Sequence, residues 1–169
     1  MEPTILRGEK ITVGDAEVLE RQDIILFKYH QPSLGTKEWV FRIIGIPGDT
    51  IHIKQGLLYV NGKVSNEPYT KLSGEIIDSG TFQPEILGST KENSWNVDNI
   101  GPIAIPFKGE RIKVDSNGND KLYKDFLDDN GKIKHDLYFL LGDSRHDAYD
   151  SRFIGFIPKS EILGILKVK

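Results

Sequence analysis

Short runs of β-branched and aromatic residues, each closed by turn residues, constrain the fold of this chain more than any other feature. Residues 23–29 and 39–46 are two such runs, and residues 137–141 read Leu-Tyr-Phe-Leu-Leu. Side chains of these types fit the pleated, half-buried surface of a sheet. No long segment repeats apolar residues at the spacing of a helix face. The sequence therefore predicts an all-β protein, with short helical turns near residues 121–127 and after Pro158.

Tight turns connect several of the predicted strands. Residues 50–54 and 57–60 are separated by Gln-Gly, and Asn61 and Gly62 follow the second run. An Asn-Gly pair between apolar runs is a strong hairpin signal, because both residues tolerate positive φ. Residues 47–49, Pro-Gly-Asp, favour a further turn, since Pro fixes φ and Gly accepts positive φ. The pattern predicts hairpins in this part of the chain.

The composition of the chain changes between residues 63 and 135. This segment is richer in Ser, Asn, Gly and Asp, its alternation is weaker, and its densest apolar patch lies at residues 99–106. The clearest strands lie on either side of it. We predict one core β-domain formed by residues 1–62 and 136–169, interrupted by an inserted β-subdomain at residues 63–135.

Charge and composition exclude several classes of function. The chain is 38% hydrophobic and 28% charged with a net charge of −3, so it lacks the basic balance typical of nucleic-acid binding. It has no Cys, which excludes disulfides, thiolate zinc sites and Cys nucleophiles. Its histidines show none of the usual metal-ligand spacings; they are His30, His52, His135 and His146. We expect no nucleic-acid partner, no metal and no cofactor.

A loop rich in Gly, Asp and Arg follows the apolar run at 137–141. Residues 142–155 read Gly-Asp-Ser-Arg-His-Asp-Ala-Tyr-Asp-Ser-Arg-Phe-Ile-Gly. Asp side chains hydrogen-bond local backbone amides, and Arg presents a rigid fork of donors to carboxylates. Such a loop can cross-link itself and hold a site rigid without a helix. Taken alone, its composition also fits a well-capped turn.

Four strings, in order along the chain, resemble the characteristic boxes of the type I signal peptidases. Residues 142–155 resemble Gly-Asp-Asn-Arg followed by Asp-Ser-Arg-x-x-Gly. Residues 1–5 resemble the box Ser-Met-x-Pro-Thr-Leu from its second residue onwards. Residues 22–28 resemble Gly-Asp-Ile-Val-x-Phe, and residues 42–49 resemble the Lys-Arg-x-x-Gly-x-Pro-Gly-Asp box from its Arg onwards. The resemblance spans nearly the whole chain. It implies the β-fold of that family, related to the fold of self-cleaving repressors, with an inserted second β-subdomain.

The resemblance also implies a Ser–Lys dyad as the catalytic device. The Lys must be neutral to accept the Ser proton, and burial lowers the Lys pKa from its ordinary value of about 10.4. In the family this Lys precedes the Arg that Arg42 matches, and here that residue is Phe41. A phenyl ring has no lone pair and cannot act as a general base. The Ser that orients the Lys is matched by Ala148, so we expect an apolar pocket without an intact catalytic residue.

The nucleophile position falls immediately before Met1, if Met1 matches the Met of the first box. The resemblance further implies a transmembrane anchor, absent from this sequence, that ends shortly before this box. Such an anchor would place the protein on the outer, periplasmic or extracellular, face of the cytoplasmic membrane. Two alternatives stay open: Ser and the anchor precede Met1 in a longer chain, or another residue replaces Ser.

The other motif residues are expected to be structural, holding the loop against the core or shaping turns. They are Met1, Pro3, Thr4, Asp23, Arg42, Gly45, Pro47, Gly48, Asp49, Gly142, Asp143, Arg145, Asp150, Ser151, Arg152 and Gly155. We expect Pro3 and Thr4 at the start of the first strand, where Pro is tolerated. Gly142 and Gly155 should allow close backbone approach or positive φ. His146 is expected to be a solvated loop side chain.

Three functions are consistent with these features. The first is a non-catalytic signal peptidase I-like protein of the bacterial export pathway, a pseudoenzyme that binds exported preproteins or signal peptides. The second is an active membrane-bound serine endopeptidase that cleaves signal peptides from preproteins, with its Ser just upstream of Met1. The third is a non-enzymatic peptide- or protein-binding β-domain. The changes at Phe41 and Ala148 favour the first.

Overall fold

The computed structural model describes residues 1–31, 35–113 and 122–167, which form ten strands in two antiparallel sheets. This confirms the all-β prediction. The strands are β1 (Thr12–Gly14), β2 (Ile24–Gln31), β3 (Gly35–Gly45), β4 (Thr50–Lys54), β5 (Leu57–Val60), β6 (Lys63–Val64), β7 (Ile100–Ala104), β8 (Leu137–Leu141), β9 (Ile157–Pro158) and β10 (Ile162–Lys167).

The larger sheet has the strand order β1-β10-β2-β3-β8-β9. β2 pairs with β3 over its whole length, from Ile24 opposite Arg42 to Gln31 opposite Gly35. β8 pairs with the carboxyl end of β3, where Arg42 lies opposite Leu141. Because β8 ends there, the loop that follows it begins beside the middle of β3. This geometry brings residues 142–155 next to Phe41.

The smaller sheet has the order β6-β5-β4-β7 and shares a hydrophobic core with the larger one. Ile51 and Ile103 pair across β4 and β7 and are both buried. They belong to the same buried cluster as Phe139 and Leu141 of β8, whereas Leu140 belongs to the cluster on the other face. β8 is thus covered on both faces, which explains why its sequence is a continuous apolar run.

The predicted local elements of the hairpin region are confirmed. β4 and β5 have the predicted bounds. The two central residues of each connecting turn have positive φ, with 49° and 73° at Gln55 and Gly56 and 52° and 76° at Asn61 and Gly62. This is the conformation that a tight hairpin turn requires. Short 3-10 turns at Lys124–Phe126 and Lys159–Glu161 match the predicted helical turns.

The expectation that Pro3 and Thr4 begin the first strand is wrong. Residues 2–4 form a turn in which the Ile5 amide donates to the Met1 carbonyl at 3.1 Å, and β1 starts only at Thr12. The turn aims Thr4 at the loop, where its hydroxyl contacts Asp143. A side-chain bond to a distant residue therefore fixes this segment, rather than strand pairing.

Nothing in the described ranges forms a helix long and apolar enough to cross a bilayer. The one α-helix among these residues, α1 (Ser151–Ile154), is a single turn within the loop. The division into a core domain and an insertion at residues 62 and 136 stays a prediction.

Gly45→Ala is expected to lower the free energy of unfolding by about 1–3 kcal/mol through overpacking. A methyl group there would overlap the Ile105 side chain and lie 2.8 Å from Cδ1 of Ile51, inside the core. Denaturant unfolding measures the loss. Gly14→Ala is the control, because its nearest neighbour would be the end of the flexible Lys167 side chain at 3.2 Å. Equal losses in the two variants would contradict the packing argument.

Candidate functional site

A cleft of about 530 Å³ lies between the amino-terminal segment, β3 and the loop at residues 142–155. Ile5 and Leu6 line it from the amino-terminal segment, Phe41 from β3, and Gly142 and Ala148 from the loop. Its volume lies in the range of ligand-binding pockets, and most of these side chains are apolar. The cleft is therefore the candidate site, and it contains both positions that the sequence singled out.

Phe41 and Ala148 meet at Gly142. A methyl group on Gly142 would overlap the Cβ of Ala148 and lie 3.4 Å from Cε1 of Phe41. Gly142 is thus a close-approach glycine, and the space between its backbone and these two side chains is filled by carbon. That Phe41 occupies a general-base position and Ala148 a Lys-orienting position stays a prediction from the resemblance.

Phe41 belongs to a cluster of aromatic rings on the larger sheet. Its ring centroid lies 5.9 Å from that of Phe27 and 5.8 Å from that of Trp39, the latter pair edge to face. Trp39 in turn lies 6.4 Å from Tyr149 of the loop. Tilted and edge-to-face pairs are favourable arrangements of aromatic rings. The phenyl ring is consequently held by packing on β2, β3 and the loop.

Arg42 ties the amino-terminal segment to the loop. Its Nε donates to Oδ1 of Asp143 at 2.9 Å and its Nη2 to Oδ2 at 2.7 Å, a bidentate pair with both side chains buried. Nη2 also donates to the Thr4 hydroxyl at 3.2 Å, and Nη1 to the Gln22 carbonyl at 2.9 Å. Such a fork gives geometric specificity as well as energy. Two elements that line the cleft are therefore fixed through one side chain.

Tyr69 covers the Arg42 guanidinium. The guanidinium carbon lies 3.7 Å from the centroid of the Tyr69 ring, a cation–π contact. Burial, reinforced by the nearby Glu67 carboxylate, raises the pKa of Tyr69 to about 12. The phenol is therefore neutral at physiological pH and does not compete with Asp143 for the cation.

Asp150 and Arg152 form the internal cross-link of the loop, and both are buried to within 1% exposure. Asp150 Oδ1 accepts from the Arg152 Nε at 2.8 Å and Oδ2 from its Nη2 at 2.8 Å. Asp150 also caps α1 and accepts from the Gly142 amide at 3.0 Å. Ser151 accepts from the Leu140 amide at 2.9 Å, and Gly155 ends α1 at a φ of 83°. These contacts fit the expected structural role of the motif.

Arg145 connects the loop to residues 67–71. Its Nε donates to the Gly142 carbonyl at 3.1 Å, while Nη2 contacts the Glu67 carboxylate and donates to the Thr70 hydroxyl at 3.2 Å. The Arg145 side chain is 2% exposed, so this ion pair is buried as well. The loop is consequently held on two sides, by Arg42 and by Arg145.

Of the remaining motif residues, Met1 lines the cleft, whereas Asp23, Gly48 and Asp49 shape turns away from it. Asp23 Oδ2 accepts from the Glu20 amide at 2.8 Å. Asp49 accepts from the Ile46 amide at 3.0 Å and pairs with Arg21, whose Nε lies 2.7 Å from Oδ2. Burial raises the pKa of Asp49, but the hydrogen bonds from Arg21, Ile46 and Asn61 outweigh it and hold that pKa below its usual value. Gly48 has a φ of 90°, as its turn requires. Their positions support a structural role.

Lys71 is a cleft residue that the sequence did not reveal. The Lys71 amide donates to the Asp143 carbonyl at 2.8 Å and the Arg145 amide to the Lys71 carbonyl at 2.9 Å, which makes a parallel bridge with Ser144. Bridge partners lie side by side on one face, and both residues line the cleft. The Ser144 hydroxyl donates to Asp147 at 2.7 Å. No local sequence pattern links residues so far apart.

His146 is not the solvated side chain that the sequence suggested. Its ring is 14% exposed, with Nε2 3.0 Å from Oδ1 of the buried Asp98 and Nδ1 against the Ser73 carbonyl. Both partners come from the segment between β6 and β7. Their distance along the chain explains why composition alone could not reveal the contact.

Comparison with known protein sequences agrees with the resemblance. The family model described as signal peptidase, peptidase S26, matches residues 1–169. Signal peptidase I of Streptococcus pneumoniae serotype 4 is 33% identical over 171 residues, covering 100% of this chain and 76% of that protein. Signal peptidase IB of Staphylococcus aureus strain Mu50 is 29% identical, covering 97% and 69% respectively. The crystal structure of a signal peptidase I from Enterococcus faecalis V583 aligns with a TM-score of 0.45 and 26% identity, covering 89% of this chain and 98% of that one.

Proposed function

The chain belongs to the signal peptidase family, peptidase S26, and from that premise we propose that it is a signal peptidase I-like protein that binds exported preproteins without cleaving them. The ligand would be the signal-peptide region of a preprotein, held in the cleft. We place the protein on the outer face of the cytoplasmic membrane, because that is where an exported chain emerges.

The observation that carries this proposal is the contact of Phe41 and Ala148 with Gly142. A Ser nucleophile needs a neighbouring base with a free lone pair. At the position where the resemblance puts that base, the structure has a phenyl ring packed between Phe27 and Trp39. Ala148 adds a methyl group where a hydroxyl would orient an amine. The arrangement can hold an apolar peptide but cannot accept a proton there.

The strand geometry supports binding of an extended peptide. In the described residues β8 pairs with β3 only from Arg42 onwards, whereas β3 itself begins at Gly35. On that side the backbone of residues 36–41 therefore pairs with no strand of the described residues, and Val40 and Phe41 line the cleft. An added peptide strand could use these main-chain groups, with its side chains in the apolar cleft.

A second candidate, an active serine endopeptidase, is favoured by one observation, the side-by-side placement of Lys71 and Ser144 in the cleft. An amine of this kind could serve as a base if it were desolvated and neutral. Lys71 is exposed, and the Ser144 hydroxyl already donates to Asp147. These features make the non-catalytic function the better supported of the two.

The experiment measures binding and cleavage of a preprotein together. We expect the unmodified protein to bind a synthetic signal peptide, detected by fluorescence anisotropy, and to give no cleavage product by mass spectrometry. Phe41→Lys/Ala148→Ser, with Ser placed immediately before Met1, is expected to give cleavage, because it supplies a nucleophile, a base and an orienting hydroxyl. Phe41→Leu with the same Ser is the matched control and should stay inactive.

Cleavage by the unmodified protein would overturn the non-catalytic proposal. Lys71→Ala then tests the second candidate, with Lys28→Ala on the exposed side of β2 as its control. Loss of cleavage in Lys71→Ala alone would identify Lys71 as the base. Absence of peptide binding by every variant would reject the cleft as a peptide site.

A further inference from the structure

The imidazole of His146 is held between two acceptors. Oδ1 of Asp98 lies 3.0 Å from Nε2, and the Ser73 carbonyl oxygen faces Nδ1. Asp98 is 1% exposed, and its other oxygen accepts from the Ile77 amide at 2.9 Å. A carbonyl oxygen and a carboxylate can only accept hydrogen bonds. The ring must therefore supply a donor on each side to satisfy both.

Only the protonated ring has two donors. A neutral imidazole carries one N–H and one lone pair, so either tautomer would direct its lone pair at an oxygen. The imidazolium donates from both nitrogens and also neutralises Asp98. In this geometry the charged ring satisfies both contacts, whereas the neutral ring loses one of them.

The other charged groups around His146 have their own partners. Arg145, its neighbour in the loop, pairs with Glu67, and Arg152 pairs with Asp150. Asp147, on the other side of His146 in the chain, accepts from Ser144 at 2.7 Å and lies 3.4 Å from the Ser73 hydroxyl. Among the described residues, His146 is the basic side chain within ion-pair distance of Asp98. The charge balance of this contact thus depends on the protonation of one ring.

The contact with Ser73 bears directly on the cleft. Lys71, two residues before Ser73, lines the cleft and bridges to Ser144. His146 lies between Ser144 and Ala148, which line the same cleft. The ring therefore connects three parts of the chain: residues 71–73, the loop residues 144–148 and the turn that carries Asp98.

We propose that His146 is a positioning residue whose protonated ring fastens residues 71–73 and Asp98 to the loop, so that ligand binding in the cleft weakens as the pH rises. The sign follows from the geometry, since both contacts form with the imidazolium and one is lost on deprotonation. The experiments span about pH 5 to pH 8, the interval in which imidazole groups of proteins generally change charge. The expected change in ligand affinity rests on the proposed function, whereas the expected change in the contacts of His146 does not.

The structural test is amide hydrogen exchange of residues 71–75 and 96–99, expressed as protection factors across that pH range. We expect protection to fall as the pH rises in the unmodified protein, and to be independent of pH in His146→Gln, whose amide does not titrate. Nitrogen chemical shifts of the His146 ring should show both nitrogens protonated at the acid end. His30→Gln is the control, because His30 is exposed on β2 and its ring contacts the Thr36 hydroxyl of the paired strand β3.

The functional test is the affinity of the synthetic signal peptide at the two ends of the range. One hydrogen bond to a charged group corresponds to a loss of about tenfold, and we expect that weakening at the alkaline end in the unmodified protein and in His30→Gln. His146→Gln should bind with the same affinity at both ends.

The two tests separate failure of this inference from failure of the proposed function. A pH-dependent protection that disappears in His146→Gln supports the inference even if no peptide binds, and the missing binding would then count against the proposed function. Protection that does not change with pH in the unmodified protein would overturn the inference. The same holds if His146→Gln keeps the full pH dependence.

Discussion

Asp150→Ala is expected to lower the free energy of unfolding by about 3–5 kcal/mol, because it leaves the guanidinium of Arg152 buried without its carboxylate. Arg152 is 1% exposed, and two of its nitrogens donate to Asp150 at 2.8 Å. The substitution also removes the acceptor of the Gly142 amide and the cap of α1. The Asp150 side chain thus pairs with the charge of Arg152, binds the Gly142 amide at the end of β8 and caps the start of α1.

Equilibrium unfolding in urea measures this loss, provided that the dependence of the free energy of unfolding on urea concentration has the same slope in both proteins. Asp129→Ala is the matched control, since Asp129 is exposed in a turn, and we expect it to change stability by less than about 0.5 kcal/mol. Replacing both members of the pair by Leu should be less harmful than Asp150→Ala alone, because no unpaired charge is left in the interior. A loss in Asp150→Ala no larger than in Asp129→Ala would contradict the buried ion-pair argument.

The hairpin region could be predicted from the sequence because its determinants are local. Alternation, β-branched residues and turn pairs all lie within a few positions of the structure they specify. β4 and β5 therefore have the predicted bounds, and Asn61 and Gly62 have the predicted positive φ. The apolar run of β8 was also recognisable as a strand, although its burial on both faces follows only from the second sheet.

The first turn shows where local patterns fail. Pro3 is compatible with the start of a strand, but the segment is fixed by the bond of Thr4 to Asp143, far along the chain. A side-chain contact of this kind has no signature near Thr4. The family resemblance placed both residues in motifs, yet it did not indicate that they touch.

Residues 65–99, all of which the structure describes, lie outside the ten strands and show the same limitation. Asn96 is fully buried, and its side-chain amide donates to the carbonyls of Asp78 and Thr81 at 3.0 Å. Polar side chains therefore support the backbone here instead of a strand ladder. A composition rich in Asn, Ser and Asp is compatible with this, but it cannot specify which carbonyls are bonded.

The resemblance marked two residues that lie at the cleft, but the sequence did not indicate which other residues would surround them. Phe41 and Ala148 were marked by the resemblance, and the structure places both against Gly142. Lys71 and His146 acquire their places through contacts across the chain, the first by backbone pairing and the second by the contact of its ring with Asp98. Such contacts follow from the fold as a whole, so these residues could be found only in three dimensions.

Arg42→Ala is expected to lower the free energy of unfolding by about 3–5 kcal/mol and to release the amino-terminal segment from the loop. Arg42 is 7% exposed and donates to Asp143, Thr4 and the Gln22 carbonyl. Without it, Asp143 is left in the interior with only the Thr4 hydroxyl as a side-chain donor from this network. Because Ile5 and Leu6 form one wall of the cleft, peptide binding should be lost as well.

Two further variants separate the geometry of the Arg42 fork from its charge. Arg42→Lys keeps the charge but loses the planar pair of bonds, so its stability should lie between those of Arg42→Ala and the unmodified protein. Arg21→Ala is the control, since Arg21 makes a similar pair with Asp49 but its side chain is 45% exposed, and a loss of at most about 1 kcal/mol is expected. Hydrogen exchange of residues 4–6 should rise in Arg42→Ala and stay unchanged in Arg21→Ala. Unchanged exchange in both would show that the segment is held by its own turn rather than by Arg42.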